Sequence, residues 1–333
     1  MLYVVVDGFF GDTGKGKITA YLAMADKPEL CVRTGAPNAG HTVVWNGEVT
    51  VLRSLPTCFV NPGSKLAVAP GALIKIDVFL SEVKQFGKGR SYVDYNTGVI
   101  EDVHLERERR DEFLMKTVGS TGQGVGAAMV DRVLRRLRLA REFEELKPYL
   151  ADVPAMIHEH REGGVVIEGT QGTFLSLYHG TYPYVTSRDV TASGVLSEAG
   201  VGPKAVDHVV LVFKAYVTRV GNGPLPGELS PEEAERRGWA ERGAVTGRPR
   251  RAAPFNMELA KRAVLLNTPT QIAITKIDVL FKDASGKTKW ADLPPEARRW
   301  IEEVEEALGV PVTLIGTGPE PHHMVDLRKE KGI

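Results

Sequence analysis

Residues 8–17 read GFFGDTGKGK, directly after MLYVVVD (1–7) and directly before ITAYLAMAD (18–26). The first of these flanks is apolar and β-branched and predicts a buried strand; the second predicts the opening turns of a helix. A strand, a glycine-rich turn and a helix start together make an anion site, because glycines let the backbone approach and free N–H groups point at phosphate. Gly11, Gly16 and Lys17 satisfy the phosphate-loop spacing G-x-x-x-x-G-K. The Ser or Thr that normally follows, and holds magnesium, is here Ile18. An acid, Asp12, stands inside the loop. The stretch is therefore expected to cradle phosphates and to present a carboxylate beside them. A turn with no ligand has little use for its four glycines and two lysines.

A second polar stretch follows the short strand-like LCVR (30–33). It is RTGAPNAGHT (33–42), with Asn38, His41 and Thr42 on a glycine-containing loop, where site chemistry commonly sits. His41 titrates near working pH and suits a general acid. A lone loop histidine is otherwise a solvated or structural residue.

At 333 residues, with 43% hydrophobic and 25% charged content, the chain has ample material for a core. Lys+Arg and Asp+Glu both number 42, so net charge argues for neither nucleic acid nor membrane partners. Cys31 and Cys58 make no disulfide framework and are expected as buried thiols in a reducing compartment. No apolar run approaches a bilayer span, and the N-terminus enters a strand without a leader pattern, so a cytoplasmic protein is expected.

Further on, VVWNGEVTVLRSLP (43–56) predicts a hairpin about Asn46-Gly47. Residues 76–86 predict a helix. STGQGVG (120–126) opens a helical pattern that runs to residue 150, and Ser120 and Thr121 suit either capping or phosphate binding. The run 164–187 predicts a buried strand and then a long polar loop, in which Gln171 and Thr186 can both donate and accept. HVVLVFKAYVTRV (208–220) predicts one central strand. In ERGAVTGRPRR (241–251), three arginines fall within four residues beside Gly and Thr, a loop suited to a free carboxylate. QIAITKIDVL (271–280) predicts a strand ending in T-K-x-D, similar to the N-K-x-D element of GTP-binding proteins. A carboxylate there, Asp278, can accept from both N1–H and the exocyclic amine of guanine, and the Lys276 stem can cover the base. Adjacent His322 and His323 lack a third ligand for a metal.

GDTGKGK and PNAGHT together resemble the signature of the adenylosuccinate synthetase family, Q-W-G-D-E-G-K-G-K followed by G-x-N-A-G-H-T. Phe9-Phe10 stands for Gln-Trp, and Thr13 for the Glu. Further similar stretches come in the family's order: STGQGVG, EGTQGTFL (168–175), HGTYPYVTS (179–187), KAYVTRVGNGP (214–224), VTGRPRR (245–251), TKIDVL (275–280) and GTGP (316–319). The chain resembles the compact form of the family, with shortened segments between motifs. Val245, Pro249 and Gly316 depart from residues common at those positions.

The resemblance implies residue roles. Asp12, Lys15 and His41 are the catalytic set. Gly14, Lys15, Gly16 and Lys17, with Gly40, His41 and Thr42, hold the GTP phosphates; Lys276, Asp278, Gly316 and Gly318 hold its base. Asp12, Asn38, Thr121, Gln171, Leu175, Thr186 and Arg248 contact inosine monophosphate (IMP), joined by Arg135 reaching across a homodimer. Thr246 and Arg248 hold L-aspartate, and Asp12 and the Gly40 carbonyl hold Mg²⁺. The implied reaction is GTP-dependent ligation of IMP and L-aspartate through a 6-phosphoryl intermediate.

The expected fold is a single α/β domain over 1–333, with a mostly parallel central sheet, helices on both faces and ligand loops at the strand ends. Two rivals remain open at this level. A GTPase or kinase of the P-loop type explains GDTGKGK and TKID but leaves PNAGHT and VTGRPRR idle. A nucleotide-binding regulator without catalysis is suggested by Thr13, Val245 and Pro249, and opposed by Asp12, His41 and Arg248.

Overall fold

The computed structural model describes residues 1–243, 245 and 247–333. Its central feature is a ten-stranded sheet. In chain order the strands are β1 (Leu2–Asp7), β2 (Leu30–Arg33), β3 (Lys65–Val68), β4 (Ser91–Asp94), β5 (Leu150–Ala151), β6 (Val165–Glu168), β7 (His208–Lys214), β8 (Gln271–Thr275), β9 (Val312–Gly316) and β10 (Met324–Asp326). In space they run β10-β9-β8-β7-β1-β6-β2-β3-β4-β5. All neighbours are parallel except β9 and β10.

β1, β2, β6, β8 and β9 are buried at every residue, which is why they read as apolar runs rather than alternating ones. β1 lies centrally. From it the chain first moves to one side, through β2 to β5, and later builds β7 to β10 on the other. Ligands of open α/β sheets bind outside the strand ends where the winding reverses, and residues 8–17 sit there.

The helix Lys15–Ala25 follows from Gly14, whose φ of 95° is a left-handed conformation that disfavours side chains. Space is tight as well: a Cβ on Gly14 would come within 3.0 Å of the Thr275 side chain. The hairpin His41–Trp45 and Glu48–Leu52 turns at Asn46 and Gly47, both at positive φ, as its Asn-Gly signature demands.

Three expectations are corrected. The helix opened by residues 120–126 covers only Val125–Val133; Arg135 takes positive φ, and the N–H groups of Arg136 and Leu137 turn back to the Asp131 carbonyl. Two 3₁₀ turns, one carrying Pro148, then lead to β5. The run 208–220 is two strands. β7 stops at Lys214, and Tyr216–Arg219 leaves the main sheet to pair antiparallel with Pro249–Pro254, which also pairs Glu241–Arg242. That second small sheet carries the arginine-rich loop towards the ends of β1 and β8. Finally, Cys31 on β2 and Cys58 on the turn Thr57–Val60 are not separate thiols. Their Cα atoms lie 6.3 Å apart and a disulfide joins them.

Candidate active site

The loop after β1 is tied from within. Asp7, fully buried, accepts from the N–H groups of Phe9 (2.9 Å), Gly11 (3.2 Å) and Thr13 (3.3 Å), from the Thr13 hydroxyl (2.5 Å) and from Lys15 Nζ (3.0 Å). Lys15 also donates to the Gln171 carbonyl at 2.5 Å, which links the loop to the segment after β6. Asp12 adopts positive φ and pairs with the Arg250 guanidinium at 3.0 Å.

Lys17 points to the other end of the site. Its Nζ donates to the carbonyls of Gly318 (2.6 Å) and His323 (2.9 Å), and burial pushes its pKa down to about 7. A lysine so easily relieved of its charge gains from a phosphate beside it.

His41 starts the hairpin and is buried. Its Nδ1 bonds Glu168 at the end of β6, while Nε2 has no partner among the described residues. Glu168 Oε2 also accepts from the Thr57 N–H (2.7 Å) and hydroxyl (3.1 Å). Burial, then the nearby Arg33 guanidinium, hold the His41 pKa down to about 4. Burial alone would raise the Glu168 carboxyl; His41 and Arg33 outweigh it and keep it below the usual range. The pair therefore rests as a carboxylate and a neutral ring, with Nδ1–H donated and Nε2 free to meet a ligand. Arg33 is itself fully buried and donates to the carbonyls of Ala39, Leu52 and Leu55, fixing the loop that carries Asn38 and Gly40.

A cavity of about 910 Å³ joins these parts. Asp12, Gly14, Lys15, Gly16 and Lys17 line one wall. Asn38, Gly40, His41 and Thr42 line the next, and Thr121, Gln171, Leu175 and Thr186 the third. Gln171, at positive φ, donates through Nε2 to the Thr186 hydroxyl at 2.9 Å and leaves Oε1 without a partner among the described residues. Arg248 reaches the cavity and donates to the Gly119 carbonyl at 2.8 Å. Thr246 lies outside the described residues. Lys276 and Gly318 line the far end; Asp278 and Gly316 are not part of the lining, and Asp278 Oδ1 is buried with no partner among the described residues. Arg135 is exposed and lines no part of this cavity.

Four further residues escaped the sequence reading. Asp7 and Glu168 each end a fully buried apolar strand at the sheet's ligand edge, and an acid closing such a run was the available signal. Lys214 ends β7 in the same way. It donates to Glu241 at 3.1 Å and to Thr218 Oγ1 at 2.6 Å. Glu241 also accepts from Tyr216 and Arg250, and although burial raises its carboxyl, Lys214 and Arg250 hold it down to about 2. The fourth, Arg250, bridges Glu241 to Asp12. No spacing rule distinguishes it from Arg248 and Arg251 beside it.

Among the described residues no group of three or more His, Cys, Asp or Glu side chains could hold a metal. Of the carboxylates that line the cavity, Asp12, Glu108, Asp111 and Glu241, the one on the phosphate loop is Asp12, and Gly40 lines the adjoining wall with its backbone carbonyl as a second oxygen donor. Such a partial set fits Mg²⁺, which keeps waters and phosphate oxygens as its other ligands.

A family model described as adenylosuccinate synthetase matches residues 4–141 and 137–284 of the chain. The curated adenylosuccinate synthetases of Methanococcus aeolicus and Archaeoglobus fulgidus are each 50% identical to it over 332 residues, covering 98% of this chain and 99% and 98% of their own. Among solved structures, fully ligated adenylosuccinate synthetase from Plasmodium falciparum shares the fold, with a TM-score of 0.90 at 24% identity over 97% of this chain and 99% of that one. The succinoaminodeoxyadenylate synthetase of cyanophage S-2L, bound to dGMP and to dATP as an energy donor, gives a TM-score of 0.80 at 26% identity, covering 98% and 95%.

Proposed function

The chain belongs to the adenylosuccinate synthetase family, and from that premise we propose how its residues carry out the family's reaction. The enzyme ligates IMP and L-aspartate at the expense of GTP, giving adenylosuccinate, GDP and phosphate. The observation that carries the residue assignment is that Asp12, Lys15 and the free Nε2 of His41 face one cavity with the phosphate loop.

The carbonyl oxygen of hypoxanthine is a poor leaving group. Phosphorylating it makes a good one, which the aspartate amine then displaces. Asp12 takes the N1 proton of IMP as the oxygen attacks the γ-phosphorus of GTP. Lys15, the loop N–H groups and His41 stabilise charge on the transferring phosphoryl group. Asp12 and the Gly40 carbonyl would hold Mg²⁺, which when bound supplies further charge neutralisation. Because Asp12 rests against Arg250, substrate binding has to exchange that ion pair for its own contacts.

The phosphates of GTP lie along Gly14, Lys15, Gly16 and Lys17, with Gly40, His41 and Thr42 opposite. The base lies against Lys276, Gly316 and Gly318, where the unpaired oxygen of Asp278 supports guanine over adenine. IMP contacts Asn38, Thr121, Gln171, Leu175, Thr186 and Arg248. L-Aspartate takes the loop of Thr246 and Arg248. Arg135 completes the site of a neighbouring subunit in a homodimer. Its exposure, beside the exposed Val133 and Leu134, supports that placement. The whole of 1–333 acts as one catalytic unit. Among the described residues no helix is long and apolar enough to cross a membrane. We place the enzyme in the cytoplasm.

An omit-one assay tests the reading. Ultraviolet absorbance of the purine is followed with GTP, IMP, L-aspartate and Mg²⁺, then with each left out, and with ATP in place of GTP. Product only in the complete GTP mixture is expected. Phosphate release from GTP alone would return the case to a simple GTPase, and bound GTP without product to a regulator.

A further inference from the structure

The phosphate loop is folded around an anion of its own. Asp7 sits at the end of β1 with no exposure, and its two oxygens receive five donors, three from the loop backbone, one from Thr13 and one from Lys15. Its backbone carbonyl accepts from Thr173 Oγ1 at 2.6 Å, so the strand end is also tied to the segment after β6. A Cβ on Gly172 would come within 2.5 Å of Asp7 Oδ1, so that segment closes over the carboxylate. Lys15 is 4% exposed and Thr13 1%. A buried ammonium needs a fixed counter-charge, and the carboxylate bonded to this one is Asp7.

The family pattern places an acid at position 13, within the loop. This chain has Thr13 there, and its hydroxyl donates to Asp7 instead. We propose that Asp7 is a positioning residue for phosphoryl transfer: from the strand end it supplies the carboxylate that the family pattern carries at position 13, and through Lys15 and the loop N–H groups it sets the geometry of the phosphate site. The inference rests on Lys15 being a phosphate-binding group of the synthetase.

The test is a set of variants read against wild type: Asp7→Asn, Thr13→Val, Thr13→Glu, and Asp7→Asn combined with Thr13→Glu. Asparagine keeps the size but turns an amide donor towards groups that are already donors. For Asp7→Asn, kcat falls about 30-fold or more, the order that a small misplacement of a reacting group produces. The KM for L-aspartate, bound at the remote loop, stays within about twofold, and GTP affinity by titration calorimetry weakens at least about fivefold. Thr13→Val, which removes one donor and little volume, lowers kcat about 3- to 10-fold with the melting temperature nearly unchanged. Thr13→Glu alone is impaired, because two carboxylates then compete for one ammonium. The combined variant recovers at least about tenfold over Asp7→Asn, as a relocated carboxylate should. If Asp7→Asn fails to fold, Thr13→Val and the combined variant decide. Wild-type kinetics in Asp7→Asn or Thr13→Val, or a combined variant no better than Asp7→Asn, would overturn the proposal. Lack of synthetase turnover in wild type would instead sink the premise, and the calorimetric ratio would still read the role of Asp7.

Discussion

Lowering the pH tests the buried His41–Glu168 pair directly. His41 has an ordinary pKa of 6.5 and is held down to about 4 in the folded chain, first by burial and then by Arg33. Between those values the unfolded chain binds a proton that the folded chain does not. Stability contributed by the neutral ring is therefore complete above the unfolded value and is lost as pH falls towards the folded one. The whole window is worth about 3 kcal/mol, and near pH 5 the loss is already about 2 kcal/mol, against a few tenths near pH 7. The quantity to measure is a difference, so that contributions shared by both proteins cancel. Urea unfolding of wild type and of His41→Asn, each near pH 7 and near pH 5, gives it. Wild type should lose about 2 kcal/mol more than the variant over that interval, with m-values unchanged. Glu168 is held below the ordinary carboxylate range and stays ionised in the window, so it does not mask the effect. Parallel losses in the two proteins would show that His41 keeps its ordinary pKa on folding, and a smaller loss in wild type would show a ring charged at rest, with Nε2 then a donor before any substrate arrives.

The guanine end and the disulfide give two further tests. Asp278→Asn removes a charged acceptor for the base, worth about 2–3 kcal/mol, so kcat/KM for GTP should fall roughly 30- to 150-fold with little change for IMP; an unchanged GTP preference would remove Asp278 from base recognition. The Cys31–Cys58 bridge closes a separation of 27 residues, which in the chain-entropy account contributes about 3–4 kcal/mol, or about 5 °C in a chain of this length. Cys31→Ala combined with Cys58→Ala should lose at least that much in thermal unfolding, and two titratable thiols in unreduced, denatured wild type would refute the bridge.

Much of this was open to reading because local chemistry and topology agree. MLYVVVD followed by four glycines could be little other than a central strand feeding a phosphate loop, and Asn46-Gly47 dictated its hairpin. What escaped has physical reasons. Residues 208–220 are largely apolar and carry no turn signal, yet the break at Ala215, where its N–H turns to the Thr275 carbonyl, comes from pairing with a strand some forty residues away. The helical pattern after residue 125 continues in composition past the point where Arg135 reverses it, because Leu137 must return to the core. Cys31 and Cys58 are fully buried, as expected, but that two buried cysteines face one another is a tertiary fact no spacing reveals. Likewise Arg250, rather than its neighbours, meets Asp12 because Glu241 on the adjacent strand draws it there.

The division between satisfied and unsatisfied groups explains how the cavity holds the arrangement its chemistry requires. Charged groups at the phosphate end have protein partners at rest: Lys15 has Asp7, Lys17 has two carbonyls, and Asp12 has Arg250. Without them the loop would carry unpaired ions in a low-dielectric cleft and would not keep its shape. Other polar atoms are treated differently. Among the described residues, Asn38 Oδ1, His41 Nε2, Gln171 Oε1, Ser187 Oγ and the Nε atoms of Arg219 and Arg250 belong to the cavity lining and are buried without partners, as is one oxygen of Asp278 outside the lining. Buried polar atoms are normally satisfied, so the unpartnered ones of the lining are where ligand atoms can complete the bonding. The resting ion pairs set the position of the reacting groups, and the unpaired atoms select what enters. On the proposed assignment, a nucleotide that satisfies the second set competes with Arg250 for Asp12, and the carboxylate so released is the one proposed to accept the purine proton.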